Sequence, residues 1–163
     1  MRIFPALPAA LAITVLVAAC ASPHPGPLRG DYAPLAPRDA AETDATGSPV
    51  RWGGRIVQVE PRPDRTCFEM VSTRLDHYGR PYWRSDDTGG RFIACRIGFY
   101  DPAVFEVNRE VTFTGRLAGH EDRSIGGYSY RFPLVEADVV YLWPERSRNR
   151  VTRPAPWPWW GYW

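Results

Sequence analysis

The sequence predicts an all-β fold, a small five-stranded Greek-key barrel over residues 50–144 of the 163-residue chain. Apolar and polar residues alternate with a period of two in short segments, which is the pattern of half-buried strands. Clusters of Gly, Asp and Pro separate these segments, and no segment of useful length has a helical period. A closed barrel leaves few exposed strand edges in so short a domain, so we favour it over the alternative, an open sandwich.

Five strands are predicted in order, at residues 51–59, 67–73, 92–99, 110–117 and 130–143. Gly53 and Gly54 indicate a bulge or a bend in the first of them. Pro133 is expected near the start of the last strand, where a missing backbone N–H is tolerated. A single helical turn is predicted only at residues 102–105.

Residues 1–19 are predicted to be a lipoprotein signal peptide. Arg2 provides the positively charged start, and an almost wholly apolar run follows it. The order aliphatic, small, small, Cys at residues 17–20 resembles the lipobox of bacterial lipoproteins, which are cut before the cysteine and acylated on it. Cys20 is therefore the predicted lipid attachment site, with plain secretion and an uncleaved anchor as the alternatives. In the lipoproteins that this resembles, a residue such as Ala21 instead of Asp usually sends the product to the outer membrane.

The two flanks of the barrel are predicted to be disordered. Residues 20–49 hold the lipidated cysteine and a Pro-rich stretch with few large apolar side chains, which predicts a flexible tether that reaches roughly 30 Å. Residues 145–163 form an Arg-rich and then Trp- and Pro-rich tail, typical of a membrane interface with anionic head groups. A plain disordered end and a strip folded back on the barrel are the alternatives for the tail. The residues expected to contact the membrane or the cell wall are Trp157, Trp159, Trp160 and Trp163.

The barrel domain contains two cysteines, Cys67 and Cys95, on neighbouring predicted strands. The cell envelope permits disulfides, and a bond here would close a loop of about 28 residues and contribute roughly 3 kcal/mol. It can form only if the two side chains point the same way. Cys67 shares a strand face with the charged Glu69, whereas Cys95 shares one with the apolar Ile93. Because these neighbours differ, the sequence leaves both a disulfide and two separately packed thiols open.

Neither a metal site nor an active site is predicted. The three histidines lie in the tether, in a turn and in an expected loop, and none has a second ligand at metal spacing. His120, Glu121 and Asp122 are interpreted as a solvated turn. No serine stands in a nucleophile elbow, no glycine-rich loop opens a helix, and no Cys-x-x-Cys occurs. We therefore expect no enzyme activity and no cofactor.

Aromatic residues and arginines in the predicted loops form a candidate binding surface. Barrels of this kind bind extended polymers on a strand face and its flanking loops, and aromatic rings stack on sugars or bases. A formal charge of only +2 argues against nucleic acid, so peptidoglycan, lipopolysaccharide or an envelope protein is the expected partner. The alternative is that the aromatic residues only cover the barrel ends. The candidate residues are Tyr78, Arg80, Tyr82, Trp83, Tyr128 and Arg131.

Residues 48–144 contain, in order, the motifs Trp52-Gly53-Gly54, Leu75-Asp76 with Gly79-Arg80-Pro81, Asp101-Pro102 and Leu142-Trp143-Pro144. In this order the motifs resemble those of the Slp family of starvation-inducible outer-membrane lipoproteins. The resemblance implies a lipid-anchored protein of the Gram-negative outer membrane with an oligonucleotide/oligosaccharide-binding (OB) type of barrel, and it implies no reaction. We expect a non-catalytic, periplasm-facing lipoprotein that contributes to envelope integrity or the stress response. The alternative is an anchored OB-like binding module.

Overall fold

The computed structural model describes residues 23–83, 86 and 88–146. A 3-10 helix at Gly26–Leu28 and a short α-helix, α1, at Pro37–Glu42 precede the strands. The five strands are β1 (Pro49–Pro61), β2 (Arg65–Thr73), β3 (Arg91–Ile97), β4 (Glu110–Ile125) and β5 (Tyr128–Leu142). The predicted all-β class and the predicted number of strands are confirmed.

The strands close into one barrel in the order β1, β2, β3, β5, β4, which confirms the barrel over the sandwich. Neighbouring strands are antiparallel except for β3 and β5, which run parallel. β1 closes the barrel because it pairs with two neighbours. Residues 49–55 pair with β4, and residues 53–61 pair with β2. A Cβ at Gly54 would overlap the carbonyl oxygen of Val71, so this close approach of β1 and β2 needs glycine.

The interior of the barrel is apolar, with aromatic rings at its centre. Phe68 and Phe113 are at most 1% exposed, and their ring centroids lie 5.4 Å apart. Tyr100 and Phe105, from the connection between β3 and β4, pack on Phe68 and close one end of the barrel. That connection contains the expected single turn, which Asp101 caps with both its side chain and its carbonyl.

The prediction of a flexible tether over residues 20–49 is corrected for residues 23–48, which pack on the barrel and which we call the strap. Leu28 of the strap is fully buried. The indole Nε1 of Trp52 on β1 donates a hydrogen bond to the carbonyl of Leu35, at 2.6 Å. The strap is therefore part of the folded domain.

Backbone pairing explains how a segment with so few apolar side chains is held. The N–H of Ala33 donates to the carbonyl of Pro49, and the N–H of Gly47 donates to that of Leu117. Ala40 in α1 is 1% exposed and joins the main core. Composition predicts disorder for a chain that must build its own core, whereas the strap uses a core that the barrel already supplies.

β4 and β5 continue beyond the barrel as a long hairpin, paired up to Ile125 opposite Tyr128. The sequence predicted that the fourth strand ends at residue 117 and that residues 120–122 form a solvated turn. Both expectations are corrected, since residues 120–122 lie within β4. Polar residues dominate this extension, so the alternation that marks a half-buried strand is missing there.

Several predicted features lie outside the described residues, among them the signal peptide, Cys20 and the tail tryptophans Trp157, Trp159, Trp160 and Trp163. No helix in the part of the chain that the structure describes has the length and apolar character needed to span a membrane.

Candidate functional site

Cys67 and Cys95 form a disulfide. They stand directly opposite each other in the antiparallel pair of β2 and β3, with Cα atoms 4.0 Å apart. Opposite residues of such a pair point to the same face of the sheet. Glu69 and Ile93 form the next pair on that face, so the register of the two strands decides the question that the sequence left open.

The disulfide belongs to a small second core on the outer side of the barrel. Its buried members are at most 5% exposed, and they are Cys67, Ile93, Cys95 and Phe132. Partly buried residues of the β4–β5 hairpin pack on them, namely Ile125, Tyr130 and Leu134. The hairpin therefore folds over the outer face of β2 and β3.

Polar contacts hold the hairpin in this position. The backbone N–H of Arg91 donates to the hydroxyl of Tyr130 at 3.1 Å. Arg123 donates to Glu121 at 2.6 Å and to Glu60 on β1 at 3.2 Å. Burial works to lower the pKa of Arg123, but the two carboxylates outweigh it and raise that pKa. The face on which barrels of this type bind extended polymers is thus covered by the protein's own hairpin.

The six residues predicted to form one binding surface lie on two different connections. The β2–β3 connection carries Tyr78, Arg80, Tyr82 and Trp83, and the β4–β5 hairpin carries Tyr128 and Arg131. Tyr78 and Tyr128 are 51% and 69% exposed. The ring of Trp83 is covered by the guanidinium of Arg55, whose Cζ is 4.4 Å from the ring centroid. The first four therefore share one connection, and the other two lie on a separate element.

Arg80 is engaged in an ion-pair network. Its Nε donates to the carboxylate of Glu110 at 2.7 Å, and its Nη2 donates to the carbonyl of Pro144 at 2.7 Å. Arg146 donates to the same carboxylate at 3.1 Å. Glu110 is only 9% exposed, and the two guanidinium groups compensate for the burial of its carboxylate. Arg80 therefore fastens the chain that leaves β5 to the β2–β3 connection.

Residues 74–82 form a small hairpin of their own, which we call the finger. The N–H of Tyr82 donates to the carbonyl of Arg74 at 2.9 Å, and an isolated bridge pairs the next residues inward. The carboxylate of Asp76 accepts a hydrogen bond from the N–H of Tyr78 at 2.8 Å, which stabilises the turn at the tip of the finger. This pairing presents Tyr78 to the outside at the tip and Arg74 at the base.

A cleft of about 480 Å³ lies between the strap and the barrel. Tyr32 of the strap forms one wall, and Trp52 and Arg51 of β1 form another, with Arg74 at the rim. The Nη1 of Arg51 donates to the carbonyl of Leu28, and its Cζ lies 5.0 Å from the centroid of the Tyr32 ring. Sequence reasoning missed this cleft because it treated one wall as a tether.

Among the described residues, hydrogen bonds shift the pKa of two carboxyl groups. Within the ranges that the structure covers, no group of three or more His, Cys, Asp or Glu residues could hold a metal ion. A hydrogen bond from Thr46 lowers the pKa of Asp44, and one from Arg62 lowers the pKa of Glu60. A general acid needs a carboxyl group whose pKa is raised, so these two shifts point away from that role.

The sequence profile of the outer membrane lipoprotein Slp family matches residues 17–163. The chain belongs to that family. The uncharacterized lipoprotein YeaY of Escherichia coli is 29% identical over 116 residues, which are 71% of this chain and 58% of YeaY. The outer membrane protein Slp of Escherichia coli is 27% identical over 147 residues, which are 87% of this chain and 77% of that protein.

An uncharacterized protein of Haemophilus influenzae is 32% identical over 94 residues, which are 58% of this chain and 51% of that protein. The chain thus spans little more than half of this relative and of YeaY. Among solved structures, a small single-stranded DNA-binding protein from Streptomyces coelicolor aligns with a TM-score of 0.39 at 14% identity, covering 59% of this chain and 94% of that chain.

Membership of the family confirms the resemblance that the ordered motifs indicated. This Slp-family protein is an outer-membrane lipoprotein, held at that membrane by lipid.

Proposed function

We propose that this protein is a non-catalytic, periplasm-facing lipoprotein that is anchored through acyl chains on Cys20 and contributes to the integrity of the envelope under stress. Two or more acyl chains hold a protein stably in a bilayer, whereas one chain holds it only marginally. A folded domain fixed to the membrane in this way acts through its surface.

The covered outer face of β2 and β3 is the observation that carries the proposal. Cys67, Ile93 and Cys95 point out of the barrel there, yet they are at most 5% exposed, because the β4–β5 hairpin lies on them. A polymer could reach this face only by displacing a packed apolar cluster and an ion pair of Arg123. Because the protein's own β4–β5 hairpin occupies this face, a structural role is favoured over polymer binding there.

Metabolic labelling tests the anchor. Cells that express the full chain are grown with radiolabelled palmitate, and the protein is immunoprecipitated beside a Cys20→Ser variant. We expect label on the wild type and none on the variant, with the wild type alone in the detergent phase of a phase-separation assay. An unlabelled wild type that partitions into water would contradict the anchor.

The role in the envelope is tested in a deletion strain. We expect the strain to become more sensitive to detergents and to large antibiotics under starvation, and the wild-type gene to restore resistance. The Cys20→Ser variant is the matched control, and it should fail to restore resistance because it folds without reaching the membrane. Full rescue by that variant would contradict a role that depends on anchoring.

A second candidate function is an anchored binding module, which the cleft between strap and barrel supports. Its rim carries Arg74, and aromatic side chains of Tyr32 and Trp52 line it. An arginine beside aromatic rings suits a sugar that bears an anionic group, as peptidoglycan and lipopolysaccharide do. Sedimentation with purified sacculi or with lipopolysaccharide, compared between wild type and Arg74→Ala, tests it. Equal retention of the two proteins would argue against the cleft.

A further inference from the structure

The strap reaches the barrel beside the finger. A Cβ placed on Gly79 in the finger would lie 3.0 Å from Cδ2 of His24 and 3.5 Å from Cδ1 of Leu28. The pKa of His24 is lowered mainly by burial and further by the charge of Arg51, as expected for an imidazole that packs on the folded domain. The first residues of the described chain therefore lie on the finger.

The chain also leaves the barrel beside the finger. The Nη2 of Arg146 donates to the carbonyl of Pro81 at 2.8 Å, and Arg80 donates to the carbonyl of Pro144. The hydroxyl of Thr112 donates to the carbonyl of Gly79 at 2.8 Å. The segment that precedes His24 and the segment that follows Arg146 thus start from the same small hairpin.

The chain segment between the proposed anchor and the finger is short. Four peptide units separate Cys20 from His24, and a fully extended chain of that length spans at most about 14 Å. The head-group region on each side of a bilayer is roughly 5 to 8 Å thick. Because the strap is packed on the barrel, the lipid holds the finger close to the head groups, and the barrel cannot stand off by a long tether.

The exposed side chains of the finger suit that position. Tyr78 is 51% exposed at the tip, where its ring lies 3.9 Å from that of His77, and Tyr82 is 39% exposed near the base. Arg74 is exposed at the base of the finger, and Arg29, whose Nε donates to the carbonyl of His24, is exposed on the strap. Tyrosine favours the interface between membrane and water, and arginine favours anionic head groups.

The sequence beyond residue 146 matches this environment. Residues 147–163 carry arginines first and then four tryptophans, a composition that also favours the interface. Arg146, the last described residue before this segment, donates to the carbonyl of Pro81, so the segment is joined to the folded domain beside the finger.

We propose that the finger, residues 74–82, is a membrane-docking surface that rests on the phospholipid head groups and orients the barrel with the finger toward the bilayer. The proposal rests on the proposed anchor at Cys20. The finger contacts Glu110 and Thr112 at the start of β4, whereas Tyr128 lies opposite Ile125 at the other end of that strand, so the tip of the β4–β5 hairpin then lies far from the lipid.

A fluorescent thiol probe at two exposed tyrosines tests the orientation. With Cys20 acylated and Cys67 joined to Cys95, a cysteine introduced by Tyr78→Cys or by Tyr128→Cys is the only free thiol. The full-length, acylated lipoprotein is labelled and reconstituted into vesicles of phosphatidylethanolamine and phosphatidylglycerol that contain a nitroxide-bearing lipid. We expect a blue shift and loss of emission for the probe at position 78, and neither change for the probe at position 128.

The outcomes separate the two proposals. Flotation with the vesicles and an acylated mass establish the anchor before the probes are compared. A protein that floats but shows equal quenching at both positions, or quenching at position 128 alone, overturns the docking surface and leaves the anchor standing. A protein without acyl mass that stays in solution overturns both. If Tyr78→Cys fails to fold, as judged by circular dichroism, Arg74→Cys replaces it on the same finger.

Discussion

Replacing Leu28 by alanine tests whether the strap is part of the folded domain. Leu28 is fully buried, and its Cδ1 lies 3.5 Å from the point where a Cβ on Gly79 of the finger would stand. The change removes three buried carbon atoms at about 0.8 kcal/mol each, about 2.4 kcal/mol in all, and a residual cavity adds to that cost. The site lies under a surface segment that can partly collapse, so we expect a loss of about 2 to 3 kcal/mol in the free energy of unfolding.

Urea unfolding of the chain in a Cys20→Ser background measures this loss. With a slope of about 1 to 3 kcal/mol per molar urea, the midpoint should fall by roughly 0.7 to 3 M while the slope stays unchanged. Ile97→Ala is the matched control, because it truncates an aliphatic side chain that is 74% exposed. The control should stay within about 0.5 kcal/mol of the wild type.

Trypsin provides a second, local readout. Arg29 and Arg38 are exposed in the strap, and their cleavage requires the strap to leave the barrel. We expect Leu28→Ala to be cut there faster than either the wild type or Ile97→Ala. If Leu28→Ala matches the control both in its midpoint and in its cleavage rate, the strap is not packed, and the flexible tether first predicted from composition is correct.

Three further changes probe the barrel itself. Replacing both disulfide cysteines by serine should lower stability by roughly 3 kcal/mol in urea, because a 28-residue loop is released in the unfolded chain; an unchanged midpoint would contradict this. Gly54→Ala drives a Cβ into the carbonyl of Val71 and should abolish soluble expression, whereas Gly127→Ala meets open space and should express normally. Glu60 has its pKa lowered by Arg62, so the stability it provides is present above its ordinary pKa of 4.5 and is lost as the pH falls through the lowered value. Glu60→Gln should flatten that part of a plot of Tm against pH, and an identical slope would argue against the ion pair.

Local alternation predicted the strands well where one strand face is buried and the other is not. Phe68 and Met70 in β2, and Val111 and Phe113 in β4, mark the inner face of the barrel in the sequence and line its core in the structure. The same rule failed at residues 118–125, where β4 continues outside the barrel with polar residues in excess. Hydrophobic periodicity marks a strand with one buried face, so it does not predict a strand segment that lies outside the barrel.

The candidate site was harder to predict because it depends on contacts between distant residues. Nothing near Cys67 in the sequence shows that Cys95 stands opposite, since that is set by the register of β2 against β3. Likewise, Arg80 and Tyr82 look alike as loop residues, yet Arg80 is bound to Glu110 and Tyr82 is exposed.

The sequence by itself determined the all-β class, the number of strands and the membership of a lipoprotein family, because these follow from local alternation, turn residues and ordered motifs. Only the tertiary structure decided that the strap packs, that the disulfide forms under the β4–β5 hairpin, and that residues 24 and 146 meet at the finger. The physical reason is that strand register and the docking of flanking segments are set by pairing and burial across the whole barrel, which no local stretch of sequence encodes.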